Sequence, residues 1–113
     1  MKDTNSGCMG ITWSYYALNA LYNTFDYVAE HFGKATLNKL KKSVENINTM
    51  LPKQPFAGQI EQLFEDSPIQ FRSILVSDIN RIVYRVTENE IIVVDFWDMR
   101  RDPDFLAKRI SNY

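Results

Sequence analysis

The sequence predicts an α+β domain in which a helical hairpin is followed by an antiparallel β-meander. Three observations predict it. Two consecutive apolar stripes run at helical spacing, the pattern changes to β-branched and aromatic strands from Phe71 onward, and glycines and prolines punctuate the joins. The 113 residues suit a single domain. A chain of this size buries roughly two thirds of the surface it exposes when unfolded, enough for one core.

Met1 to Gly10 is polar and aperiodic, and reads as a flexible leader before a domain spanning residues 11–113. Ile11, Thr12 and Trp13 suit a short first strand. Ser14 is placed to cap a helix whose stripe is Leu18, Leu21, Phe25, Val28 and Phe32. Gly33 stops that helix, and Leu37, Leu40, Val44, Ile47 and Leu51 form a second stripe closed by Pro52 and Pro55. Helices joined this tightly must fold back antiparallel. Phe56 to Pro68 reads as irregular.

Phe71–Val76, Arg81–Val86 and Glu90–Trp97 follow as three strands with short links. Alternation places Ile82, Tyr84 and Val86 on one face, and Arg81, Val83 and Arg85 on the other. In the last strand it sets Ile92, Val94 and Phe96 against Ile91, Val93, Asp95 and Trp97. One sheet face is expected to pack on the hairpin. The other is expected to carry arginines, an aspartate and a tryptophan.

Charge and composition narrow the function. Net charge is −1, so general affinity for nucleic acid phosphates is not expected. One cysteine, Cys8, excludes an intramolecular disulfide and favours a reducing cytoplasm. The longest apolar run, around Ile91–Val94, is far too short to cross a bilayer. One histidine and one cysteine cannot form a zinc site, and no EF-hand or Gly-rich loop is present. No metal, cofactor or membrane partner is expected.

Two charged sets remain. Lys34, Lys39, Lys41, Lys42 and Lys53 against Glu45 give residues 34–53 an excess of four positive charges. That set reads first as the solvated back of a helix, and second as a docking face for an acidic partner. Arg72, Arg81, Arg85, Arg100 and Arg101 are suited to bidentate contact with phosphates or carboxylates. Seven acidic residues accompany seven basic ones from Arg72 onward, so internal pairing competes with that reading. His31, near the end of the first helix, reads as a surface residue.

Three segments resemble the RelE/ParE superfamily, the toxins of bacterial type II toxin–antitoxin modules also grouped as plasmid stabilization proteins. ITWSYYALNALYNTFDYVAEHFGKATLNKLKKSVENINTMLPKQPFAG is similar to the family's first strand and hairpin, closing at Pro55 to Gly58. RSILVSDINRIVYRV resembles its arginine-led strand and tyrosine-arginine strand, and IIVVDFWDMRRDP its final strand and ending. The likeness runs from about Ile11 to Pro103. It implies a β-α-α-β-β-β fold, cytoplasmic growth inhibition and a cognate antitoxin. A small homo-oligomer is compatible with it.

The family divides by target. ParE-like members inhibit DNA gyrase without acting as enzymes in the usual sense, and RelE-like members cut mRNA on the ribosome. Metal-independent RNA cleavage needs a base, an acid and cations for the phosphorane charge. By resemblance Arg81 supplies charge stabilisation in a nuclease; in that alternative the chemistry would set Arg85 with it around the scissile phosphate and use Asp98 as base. The histidine and tyrosine that several nucleolytic relatives carry near the last strand are absent: the strand ends Trp97, Asp98, Met99, Arg100, Arg101. The expectation is therefore a ParE-like inhibitor meeting its target through Arg81, Trp97, Arg100 and Arg101. The alternatives are a RelE-like mRNA endonuclease and a non-toxic binding module.

Overall fold

The computed structural model describes residues 9–99. Strand β1 (Gly10–Trp13) leads into the helical segment α1 (Tyr15–Met50). Strands β2 (Gln59–Ile60), β3 (Arg72–Leu75), β4 (Asn80–Val86) and β5 (Glu90–Asp98) follow, with a short 3₁₀ turn at Gln62–Phe64 after β2. The sheet has the order β1-β5-β4-β3-β2.

The helical segment is two arms, not one rod. Gly33 interrupts it at φ 87°, ψ 174°, a conformation that costs little only without a Cβ. The arms fold back on each other. Lys41 Nζ lies 5.6 Å from the centre of the Phe25 ring, whereas sixteen residues of straight helix would span about 24 Å. At the start, the Ser14 hydroxyl accepts from the Ala17 N–H at 3.1 Å and caps the first arm as expected. Phe32 departs from the predicted stripe: it is exposed, while Ala17 is fully buried. The first arm buries from its N-terminal half, where it meets the sheet, and its tip projects beyond.

The meander is antiparallel through β2, β3, β4 and β5. The whole sheet is mixed, because β1 runs parallel to β5, pairing Ile11 with Ile91 and Trp13 with Val93. No tight turn joins these two strands, so nothing forces them antiparallel. Met9 donates its N–H to Pro52 O at 3.1 Å, so the described fold takes in Met9 and Gly10 of the expected leader. The stretch expected to be irregular, Phe56 to Pro68, also holds β2 and the 3₁₀ turn. A two-residue strand is too short to leave a periodic signature.

The faces of β5 depart from strict alternation. Pairing passes from Val83 opposite Asp95 to Tyr84 opposite Val93, leaving Val94 as the extra residue of a bulge. Ile91, Val93 and Phe96 therefore share the hairpin side with Ile82 and Tyr84. Ile92, Val94 and Trp97 lie on the far side with Val83. Phe96 was expected beside Ile92 and Val94, and the inserted residue reverses its side.

The far side is a second core. Phe64 and Phe71, with ring centres 5.4 Å apart, pack there with Val83, Val94 and Trp97. The larger core joins Ala17, Leu21, Val28, Leu40, Val44 and Leu51 of the helical segment and its end to the opposite face. The sheet is thus enclosed on both sides at its centre.

Candidate functional site: the arginine face

Arg81 sits on β4 at the edge of the second core. Its Nη1 lies 2.9 Å from Glu61 Oε2, and the Ser73 hydroxyl donates to the same oxygen at 2.9 Å. Arg81 Nη1 also donates to Ser73 Oγ at 3.3 Å. Its guanidinium stacks 4.6 Å above the Trp97 ring. Glu61 is 8% exposed, so the pair is largely desolvated on the carboxylate side. Removing one partner of such a pair leaves an uncompensated charge. Arg81 is accordingly fixed in direction by a carboxylate, a hydroxyl and an indole face.

Sequence reasoning missed Glu61 and Ser73. Glu61 falls just past β2, in the stretch read as irregular, and only the pairing of β2 with β3 sets it under Arg81. The signal present in the sequence was indirect: an arginine among buried neighbours on a central strand calls for a counter-charge.

Of the other expected site residues that are described, Trp97 packs against Arg81, while Arg85 and Asp98 do not join that cluster. Trp97 is 4% exposed, and its ring forms the floor beneath Arg81 instead of a displayed surface. Arg85 follows on the same face of β4, where its Nε is buried with no hydrogen-bond partner. Asp98 lies on the hairpin side, lining a cavity with Asn23, Thr24, Tyr27 and Phe96. Arg81 and Arg85 thus lie on one side of the sheet, and Asp98 on the other. Arg100 and Arg101 fall outside the described residues.

Tyr84 anchors the turn that closes the hairpin. It is fully buried, donates its hydroxyl to Pro55 O at 2.9 Å and accepts from the Gly58 N–H at 2.9 Å. Burial pushes its phenol above the ordinary value, opposed by the Gly58 hydrogen bond and by Arg72. A Cβ on Gly58 would come within 2.6 Å of the Tyr84 hydroxyl and 2.8 Å of Ser73 O, so only glycine fits. Arg72 adds a bond from Nη1 to Gly58 O at 2.9 Å and lies 5.0 Å from the Phe56 ring centre. The tyrosine-arginine strand and the Pro55–Gly58 turn are one structural unit.

Among the described residues, no three metal-binding side chains cluster, and no helix is long and apolar enough to cross a membrane. The exposed residues of the hairpin include His31, whose ring centre lies 4.3 Å from that of Tyr27, and the five lysines of the second arm and its end.

The fold is a helical hairpin on a mixed sheet, with Arg81 held by the buried Glu61 carboxylate on the opposite face. The family model described as "ParE toxin of type II toxin-antitoxin system, parDE" matches residues 11–103, and the chain belongs to that family. Among solved structures, the chromosomal ParDE toxin–antitoxin system from P. aeruginosa is similar, with a TM-score of 0.64 at 18% identity. That match covers 82% of this chain and 98% of the other. A YoeB/ParE toxin from Agrobacterium tumefaciens matches with a TM-score of 0.53 at 16% identity, over 80% and 98% of the two chains. A YoeB dimer from Staphylococcus aureus gives 0.51 at 17% identity, over 77% and 92%. At these identities the structural likenesses establish the fold. No curated protein sequence matches. The protein is a toxin of the ParE/RelE superfamily from a type II toxin–antitoxin system, and a ParDE-type toxin implies a cognate antitoxin.

Proposed function

We propose that this protein is a ParE-like inhibitor of DNA gyrase that works by binding, not by cutting nucleic acid, and that its antitoxin relieves the inhibition. The observation that carries this reading is the separation of Asp98 from Arg81 and Arg85 by the thickness of the sheet. RNA cleavage without a metal needs proton-transfer groups and cations around one phosphate. Here the sole histidine is exposed on the hairpin, and Arg81 already has its charge matched by Glu61. Membership of the ParE family supports the same choice. In this reading Arg100 and Arg101, directly after Met99, meet the target, and the lysines of residues 34–53 favour an acidic antitoxin segment. Growth arrest in the cytoplasm and plasmid stabilization would follow.

One observation favours the endonuclease as a second reading: the Glu61 carboxylate lies 2.9 Å from the Arg81 guanidinium, beside the Ser73 hydroxyl. A single experiment separates the two. Purified protein is added to a gyrase supercoiling assay and, in parallel, to ribosomes programmed with mRNA. Loss of supercoiling with intact message is the expected result, and it weakens when Arg100 and Arg101 are both changed to Glu. Cleaved message with normal supercoiling would transfer the assignment to the nuclease. Activity in neither assay, with no growth defect on induction, would leave a binding module.

A further inference from the structure

Arg85 poses a problem of physical chemistry. Its Nε–H is buried and has no acceptor among the described residues. A buried donor without a partner costs about 1–3 kcal/mol, and more when the group is charged. Arg81 Nε is likewise buried without an acceptor, but the Arg81 charge is matched by Glu61 through Nη1, whereas Arg85 has no carboxylate partner among the described residues.

The side chain lines a cavity of about 270 Å³ together with Phe56, Pro68, Ile69, Gln70, Arg72 and Val86. Among the described residues no acidic side chain lines this cavity, and two guanidinium groups do. Arg72 is held in place by Gly58 O at 2.9 Å, by Phe56 O at 3.4 Å and by the Phe56 ring. Its Nη2 meets Gln70 Oε1 at 3.5 Å, which leaves the Gln70 amide nitrogen as a further donor. All these partners are neutral, so neither positive charge is compensated within the cavity.

We propose that Arg72, Arg85 and Gln70 form an anion site that takes a dianionic phosphate, either free or as the terminal phosphate of a small phosphomonoester. Two fixed positive charges match a dianion, whereas a carboxylate or a phosphodiester would neutralise only one. Arginine forks suit tetrahedral oxyanions, and a phosphate in the cavity would lie between the two guanidinium groups that line it. The site lies toward the Val86 end of β4, away from the Arg81–Glu61 pair nearer its start. It is therefore independent of the gyrase-directed reading.

The test uses the full chain at about pH 8, where inorganic phosphate is mainly dianionic, at constant ionic strength with chloride as reference. Phosphate is titrated while the Arg Nε–H signals and the Tm are followed. The expected result is a saturable rise in Tm and a titrating Arg85 Nε–H signal, with acetate at least tenfold weaker. Arg85→Met removes the unpartnered donor and keeps the stem, so the variant should fold and lose at least fivefold in apparent phosphate affinity. AMP binding with the same Arg85 dependence would extend the site to phosphomonoesters, and failure of AMP beside phosphate binding would confine it to the free ion. An unmoved Arg85 signal, a Tm response equal in Arg85→Met, or acetate binding as tight as phosphate would overturn the proposal.

Discussion

The two faces of the sheet are built by different means. Toward the hairpin, Ile82, Tyr84, Ile91, Val93 and Phe96 meet apolar side chains of the two helical arms in a continuous core. On the far side, a smaller core of Phe64, Phe71, Val83, Val94 and Trp97 is bordered by the Glu61–Arg81 pair. The first face depends on area removed from water. The second also depends on a charge pair whose members are tolerable only together. What differs is how each face fails: the hairpin side degrades in proportion to the atoms lost, and the far side fails when one partner is removed.

Phe96→Ala should give the largest effect, because Phe96 is 2% exposed and its ring centre lies 6.4 Å from that of Trp13. The loss should be about 4 kcal/mol in urea unfolding, a large share of the roughly 5–15 kcal/mol available to such domains. A loss below about 1 kcal/mol would mean that the hairpin core can repack around the hole.

Glu61→Ala should come next, at about 3 kcal/mol, because it strands the Arg81 charge. The sharper comparison is the double replacement Glu61→Leu with Arg81→Met, which should recover most of that loss. If the double variant is as unstable as the sum of the two single changes, the far side is not governed by the pair.

Tyr84→Phe should cost least at neutral pH, about 2 kcal/mol, by leaving Pro55 O and the Gly58 N–H without their partner. Its pH dependence is the more telling readout. The phenol in the unfolded chain ionises near 10.0, while in the folded protein it resists ionisation. The folded state therefore holds more protons above that pH, and wild-type stability falls as pH rises from about 10 through the raised folded value. Tyr84→Phe lacks this component, so its stability should fall less steeply over that range. Parallel curves for the two proteins would assign the alkaline loss to other groups.

The same contrast explains what could be read from the sequence. The helical arms were legible because Leu21, Val28, Leu40 and Val44 repeat at one period, and Ser14 and Gly33 mark their limits by chemistry that acts locally. The central strands were legible from composition and alternation. Non-local features were not. The bulge at Val94 inserts one residue without changing residue type, so strict alternation assigned Phe96 to the wrong side. Glu61 looked like one more polar residue in a loop, because its partner stands twenty positions later on another strand. The arginine face is legible as a set of charges, but its division into an Arg81 paired with Glu61, an Arg85 with no carboxylate among the described residues and a carbonyl-bound Arg72 depends on strand order.

The pairing of β5 between β1 and β4 also bears on how the chain is made. The ribosome delivers β1 and both helical arms before β5, the last of the described strands and the one that joins them to the rest of the sheet. Until residue 98 has emerged, the apolar side of the nascent hairpin lacks the strand that carries Ile91, Val93 and Phe96. Long-range pairing of this kind slows folding and prolongs exposure of sticky surface. Translation halted before β5 would therefore yield a fragment without a complete toxin fold, and synthesis itself imposes a delay before the product can act.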